Sequence, residues 1–150
     1  MRSIKIVAVL MVFLGISLTV SARPVDPPRS AYMQAYVSLL QARALLDQEK
    51  RSELRDAKKR AASEVDAAIA QMQQMLHQGG PAPRVTLPPP PKNDPDAALR
   101  TALSLLNQAV EKILLTKTPE PMRNGQAALL RHIEEARQAI NHSLHPVPHR

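Results

Sequence analysis

The sequence of 150 residues contains no cysteine and no tryptophan, and its aromatic residues are limited to two tyrosines and one phenylalanine. Without cysteine the chain forms no disulfide, and it offers no thiolate as a nucleophile, as a metal ligand or as the attachment point of c-type haem. Proteins that bind nucleic acid through exposed bases stack them on aromatic rings. We therefore expect no sequence-specific binding of nucleic acid.

Residues 1–22 have the pattern of an export signal. Two basic residues, Arg2 and Lys5, precede an apolar run over residues 6–20, and short side chains lead up to Ala22. A signal peptidase reads such short side chains at its cleavage site. We predict a signal peptide over 1–22, and hence a periplasmic or secreted protein with no transmembrane segment after cleavage. A retained membrane anchor is the alternative, which the short apolar run disfavours because a membrane span needs ~20 residues.

The chain is basic, with 20 lysine and arginine residues against 13 aspartate and glutamate residues. Two of the basic residues lie in the signal, so the mature protein keeps a positive net charge. An exported protein of this charge is attracted to anionic lipids and other polyanions. The predicted partner is either an anionic component of the cell envelope or a protein whose identity the sequence does not indicate.

Proline and glycine divide the mature chain into two helical halves. Residues 23–29 contain three prolines and are predicted to form an extended leader, whereas residues 30–78 contain neither proline nor glycine. A proline-rich linker is predicted over 79–93, a second helical half over 94–145, and a short tail over 146–150.

In the first half, apolar residues recur at steps of three and four, which is typical of amphipathic helices. The predicted core positions are Met33, Val37, Leu40 and Ala44, widened by Tyr36, Leu39 and Leu46, and then Leu54, Ala57, Ala61, Val65, Ala68, Met72 and Met75. The polar stretch over 47–53 separates the two stripes, and Ser52 is suited to cap a new helix there. A hairpin with a turn near Ser52 is favoured, and one continuous helix is the alternative.

The second half begins at Asp94-Pro95, a capping aspartate followed by a proline at the first helical position. Its predicted core positions are Leu99, Leu103, Leu106, Val110 and Ile113 in one helix, and Leu129, Ile133, Ala136, Ile140 and Leu144 in the next. Because an αα-hairpin cannot bury its apolar stripe alone, two hairpins should close on each other. The predicted fold is all-α, with two αα-hairpins joined by the proline-rich linker in a four-helix bundle.

The two halves also show a weak similarity to each other. The tetrapeptide over 37–40 matches that over 103–106 at a separation of 66 residues, and Leu76-His77 matches Leu144-His145 at a separation of 68. Because few positions are identical, the residue preferences that all amphipathic helices share are the alternative explanation. The similarity favours two hairpins of one design.

Three histidines cluster at the C-terminus, and they are the candidate metal ligands of this chain. His142, His145 and His149 offer the imidazole nitrogens that bind copper, nickel or zinc. Prolines within the tail loosen this geometry, so weak adventitious binding is the alternative. Haem is a further hypothesis, with Met33 and either His132 or His142 as axial ligands.

One segment of the sequence is densely basic. Arg51, Arg55, Lys58, Lys59 and Arg60 are the candidate residues for binding a polyanion. The alternative is a solvated helix face, in which acidic residues interleaved with these bases form pairs one helical turn apart.

The sequence contains no glycine-rich phosphate loop and no nucleophile elbow, so we expect no enzymatic activity and no cofactor. The function predicted from sequence is that of a small exported helical bundle acting by non-catalytic binding. A metal- or haem-binding periplasmic four-helix bundle is the alternative.

Overall fold

A computed structural model describes residues 27–76, 85–87, 94–118 and 120–146. The long helices among them are α1 (Pro27–Gln48), α2 (Arg55–Leu76), α3 (Ala97–Leu114) and α4 (Arg123–Leu144). Short 3₁₀ turns, Ser52–Leu54 and Glu120–Met122, precede α2 and α4. The predicted all-α four-helix bundle is confirmed. The predicted signal peptide lies outside the described residues.

Helix α1 begins at Pro27, three residues before the predicted start at Ser30. Proline is accepted in the first turn of a helix, because the N–H groups there have no intrahelical partner. Helix α1 ends at Gln48, so the first half is a hairpin and not one continuous helix. Ser52 starts the 3₁₀ turn, while Arg51 occupies the N-cap position and its side chain makes no capping hydrogen bond.

Helix α3 begins at Ala97 with Asp96 at the N-cap position, so the predicted cap at Asp94 and the predicted first helical position at Pro95 lie two residues too early. The Asp94 carboxylate accepts a hydrogen bond from the backbone N–H of Asp96 at 3.0 Å, and the Asp94 carbonyl accepts one from Ala97 at 3.2 Å. The acid therefore satisfies donors of the first turn that have no partner within the helix.

Neighbouring helices in the bundle run antiparallel. The start of α1 lies beside the turn after α3, where Tyr32 contacts Thr118, and the turn after α1 lies beside the start of α3, where Arg51 contacts Asp96. Helix α2 packs in the same manner on α4. The closest packing is thus between hairpins, α1 against α3 and α2 against α4, and not within them.

This arrangement makes the chain between α2 and α3 cross the length of the bundle. Three residues of the predicted linker, 85–87, are described, and they lie along α1. Gln41 Nε2 donates to the Thr86 carbonyl at 3.4 Å, and Leu87 packs against the core. The rest of the predicted linker, 79–84 and 88–93, lies outside the described residues.

The buried face of α1 differs from the prediction by about one residue. The buried apolar positions of this helix are Tyr32, Ala35, Tyr36, Leu39, Ala42, Leu45 and Leu46. Met33, Val37, Leu40 and Ala44 are half-buried at the edge of the core. Apolar residues cover most of the circumference of α1, so its sequence is compatible with two different buried stripes. In the structure the buried stripe is the one that contains the small residues Ala35 and Ala42.

The other three helices bury most of the predicted stripes. In α3 the one shift is that Ala102 and Ala109 are fully buried, while Leu103 and Val110 are half-buried beside them. The remaining buried positions are Ala61, Ala62, Val65, Ala68, Met72, Met75 and Leu76 in α2, Ala97, Leu99, Leu106 and Ile113 in α3, and Leu129, Ile133, Ala136, Ala139 and Ile140 in α4.

The buried positions repeat between the two hairpins. Those of α1 at 32, 35, 39, 42 and 46 recur in α3 at 99, 102, 106, 109 and 113, a constant separation of 67 residues. Those of α2 at 61, 65, 68 and 72 recur in α4 at 129, 133, 136 and 140, a separation of 68. The separation of 66 predicted for the first helices is therefore wrong by one residue.

None of the described helices has the length and apolar character needed to cross a membrane.

Candidate anion-binding groove

A groove of about 640 Å³ opens between the C-terminal part of α1 and the N-terminal part of α2. Six basic side chains line it: Arg43, Lys50, Arg51, Arg55, Lys58 and Lys59. Three carboxylates also line it: Asp47, Glu49 and Asp66. The groove thus carries an excess of positive charge, and the partners of each charged group determine which cations are available to a ligand.

Arg51 is committed to the structure of the bundle. Its guanidinium donates to both oxygens of Glu49, at 2.9 and 2.7 Å, and to Asp96 at 2.7 Å. These bonds raise the pKa of Arg51 above its ordinary value, and the bonds from Arg51 lower the pKa of Glu49 although burial opposes this. Glu49 is buried, and Arg51 neutralises it while tying the turn after α1 to the start of α3.

Arg43 is the single cation paired with both exposed acids of the groove. Its Nε donates to Asp66 on α2 at 2.8 Å, and its Nη1 donates to Asp47 one turn farther along α1. Burial lowers the pKa of Arg43, but these two hydrogen bonds outweigh burial and leave the pKa raised. Arg43 therefore remains a cation that is shared between two carboxylates.

Lys58 is held in place by the end of α1. Its ammonium donates to the Glu49 carbonyl at 2.6 Å and lies 3.5 Å from the Asp47 carbonyl. Carbonyl groups at a helix C-terminus have no partner within the helix, and a cation there is favoured by the helix dipole. The partners of the Lys58 ammonium are thus carbonyls and not carboxylates.

The remaining cations, Lys50, Arg55 and Lys59, are exposed. None of them makes an ion pair with a carboxylate among the residues that the structure describes. With Lys58 they form what we call the cationic mouth of the groove: Lys50, Arg55, Lys58 and Lys59.

The structure divides the predicted polyanion-binding cluster. Arg51, Arg55, Lys58 and Lys59 line the groove, whereas Arg60 lies 3.2 Å from Glu135 on α4. Arg60 borders a separate cavity between α2 and α4. Lys50, which belongs to the same basic segment of the sequence, also lines the groove.

The candidate metal ligands lie at the far end of α4. His142 and His145 are exposed, and His149 lies outside the described residues. Within the described ranges, no three side chains of the types that ligate metals stand close enough to hold an ion. His132, considered above as a haem ligand, has its Nδ1 2.7 Å from Glu64 on α2.

No protein-family model, curated protein or solved structure matches this chain. The charges and contacts of the groove are therefore the basis for assigning a function. The groove is lined by four of the five residues predicted to bind a polyanion.

Proposed function

We propose that this protein is an exported helical bundle that acts without catalysis, by binding an anionic component of the cell envelope in the groove between α1 and α2. The observation that carries the proposal is the cationic mouth. Three of its four cations have no carboxylate partner among the described residues, and the fourth is fixed by backbone carbonyls. Their charge is available to a ligand.

The carboxylates of the groove do not cancel this charge. Arg51 neutralises Glu49, and Arg43 is shared by Asp47 and Asp66. A concave surface lined by one sign of charge concentrates the electrostatic potential and attracts the opposite charge. An anion that enters the mouth therefore gains charge-assisted hydrogen bonds without first breaking an existing ion pair.

A pair of variants with equal charge tests the proposal. Arg55→Gln with Lys59→Gln removes two charges from the mouth, and Arg131→Gln with Lys117→Gln removes two exposed charges elsewhere. We expect the first pair to weaken binding to vesicles of anionic phospholipid at low salt, and the second pair to bind like the parent. Equal binding by both pairs would refute the assignment of the groove. Circular dichroism checks that both pairs keep the helical fold.

The export part of the proposal is supported by residues 1–22 and is tested separately. We expect the intact mass of the exported protein to correspond to a chain that begins at Arg23. A mass that includes residues 1–22 would replace the exported, released protein by a membrane-anchored one, and it would leave the groove assignment unaffected.

A further inference from the structure

We infer that the ligand of the groove is a compact phosphate group, a phosphate monoester or a diphosphate, and not an extended polyanion. This inference rests on the proposed function, because it specifies the anion that the cationic mouth takes. The basis is that the fold turns part of the basic sequence segment away from the groove and gathers the other cations at one place.

An extended polyanion needs a continuous track of cations, and the groove does not provide one. Arg60, which continues the basic segment, turns to Glu135 on the other side of α2. Farther along the groove wall, α2 presents the neutral Ser63 and then Asp66, which shares the single cation Arg43 with Asp47 on α1. A chain of negative charges laid along the groove would leave the cations and meet these two exposed carboxylates.

The mouth has the donors for one phosphate group. Arg55 lies about one helical turn from Lys58 and from Lys59, so the Cβ atom of each lysine is about 5–6 Å from that of Arg55. The planar guanidinium of Arg55 is suited to bidentate contact with phosphate, and the lysines act as point charges. Ser52 also lines the groove, with a hydroxyl that can donate to a phosphate oxygen.

The charge of the site points to the same ligand class. The six cations of the groove exceed its carboxylates by three. A phosphate monoester carries about −1.5 to −2 at neutral pH, whereas a carboxylate or a sulfate ester carries a single charge. A small, multiply charged anion therefore uses the excess charge of the mouth without extending to Asp47 and Asp66.

The test uses the exported protein, the groove pair R55Q/K59Q and the control pair R131Q/K117Q. The probes are inorganic pyrophosphate, vesicles containing phosphatidic acid, vesicles containing phosphatidylserine at the same surface charge, and dextran sulfate. Calorimetry measures pyrophosphate binding, and co-sedimentation measures vesicle binding.

We expect pyrophosphate to bind with one site per chain, and the groove pair to weaken this binding by about tenfold or more. The control pair should change it by less than about twofold, because its charges are distant and screened by salt. Additional preference for phosphatidic acid over phosphatidylserine would identify a lipid headgroup as the source of the phosphate. Binding of pyrophosphate without vesicle binding would identify a soluble phosphate compound.

Three results would overturn the inference. Groove-dependent binding of dextran sulfate, with no binding of pyrophosphate or phosphatidic acid, would refute the compact ligand and leave the proposed function intact. Pyrophosphate binding that both charge pairs weaken equally would show general attraction to a basic protein. Absence of groove-dependent binding to any of the four probes would refute the proposed function as well.

Discussion

The hydroxyl groups of Tyr32 and Thr118 lie 2.7 Å apart in the interior of the bundle, and they join the start of α1 to the turn after α3. The Thr118 hydroxyl also donates to the Thr116 carbonyl at 3.3 Å, so the Tyr32 hydroxyl is the donor of the pair. Both side chains are buried and 86 residues apart in sequence. This contact links the two hairpins at the end of the bundle opposite to Arg51 and Asp96.

Replacing Tyr32 by Phe should destabilise the protein by about 1 kcal/mol, because it removes one buried hydrogen bond and leaves the Thr118 hydroxyl with one partner fewer. Tyr36→Phe is the matched control. The Tyr36 hydroxyl accepts a hydrogen bond from the half-buried Gln73 at 3.0 Å, and water can replace it more readily there. Urea denaturation measures both variants, and a larger loss for Tyr36→Phe would contradict the role assigned to the Tyr32 contact.

Leu106 lies at the centre of the α3 stripe and is fully buried. We expect Leu106→Ala to reduce the free energy of unfolding by ~2–5 kcal/mol, from lost burial and the cavity left behind. The same substitution at Leu115, whose exposed fraction is 78%, should change it by less than ~0.5 kcal/mol. Thermal and urea denaturation compare the two, and similar losses for both would show that the α3 stripe is not the core.

The sequence predicts the helices well where the apolar stripe is narrow, and less well where it is wide. Helix α4 has polar residues on the face away from the core, so Leu129, Ile133 and Ile140 are identified directly. Helix α1 has apolar residues nearly all round, so periodicity does not separate Leu40 from Leu39. Packing against the neighbouring helix α3 determines which of the two leucines is buried, and the apolar pattern of α1 contains no information about that neighbour.

The groove is predictable only in part for a similar reason. The basic segment is visible in the sequence, and four of its five predicted residues line the groove. Which cations are available depends on contacts between distant parts of the chain. Arg51 contacts Asp96, 45 residues away, and Arg60 contacts Glu135, 75 residues away. Neither pair follows from local spacing. The sequence alone therefore indicates one continuous basic patch, whereas the fold leaves only some of its cations available in the groove.

Glu49 should make the stability of the protein depend on pH. Its pKa is lowered from the ordinary value of 4.5 by the hydrogen bonds from Arg51. A carboxyl whose pKa is lower in the folded state contributes stability that is complete above the unfolded-state pKa and is lost as the pH falls through the folded-state pKa. We therefore expect Glu49→Gln to be less stable than the parent by about 1–3 kcal/mol at pH 7.

The difference between Glu49→Gln and the parent should shrink as the pH falls below about 4.5, because the parent then loses the same charge. Urea denaturation over a pH series measures this difference. Glu53→Gln is the control, since Glu53 is exposed and makes no ion pair within the described part of the chain. A difference that stays constant with pH would show that the charge of Glu49 does not provide its stabilisation.

The crossing between α2 and α3 gives the sharpest test of the topology. Helix α1 has 22 residues and is therefore ~33 Å long, and residues 85–87 of the connection between Leu76 and Ala97 lie beside it. That connection has about 20 residues, and at ~3.3 Å each it can reach roughly 65 Å. Removing the four prolines over 88–91 leaves a reach of roughly 50 Å, which still spans the bundle.

We therefore expect the deletion of 88–91 to keep the helix content and the oligomeric state of the parent. Deleting 79–84 as well leaves about 10 residues, which must be almost fully extended to cover the length of α1. Because the chain must also pass around the surface of the bundle, a connection of this length is too short to join α2 to α3 within one chain. Exchange of hairpins between two chains removes this strain. The longer deletion should form dimers by light scattering while circular dichroism still shows helix. If it stays in the state of the parent with unchanged stability, the chain does not cross the bundle and α1 does not pair with α3 as described.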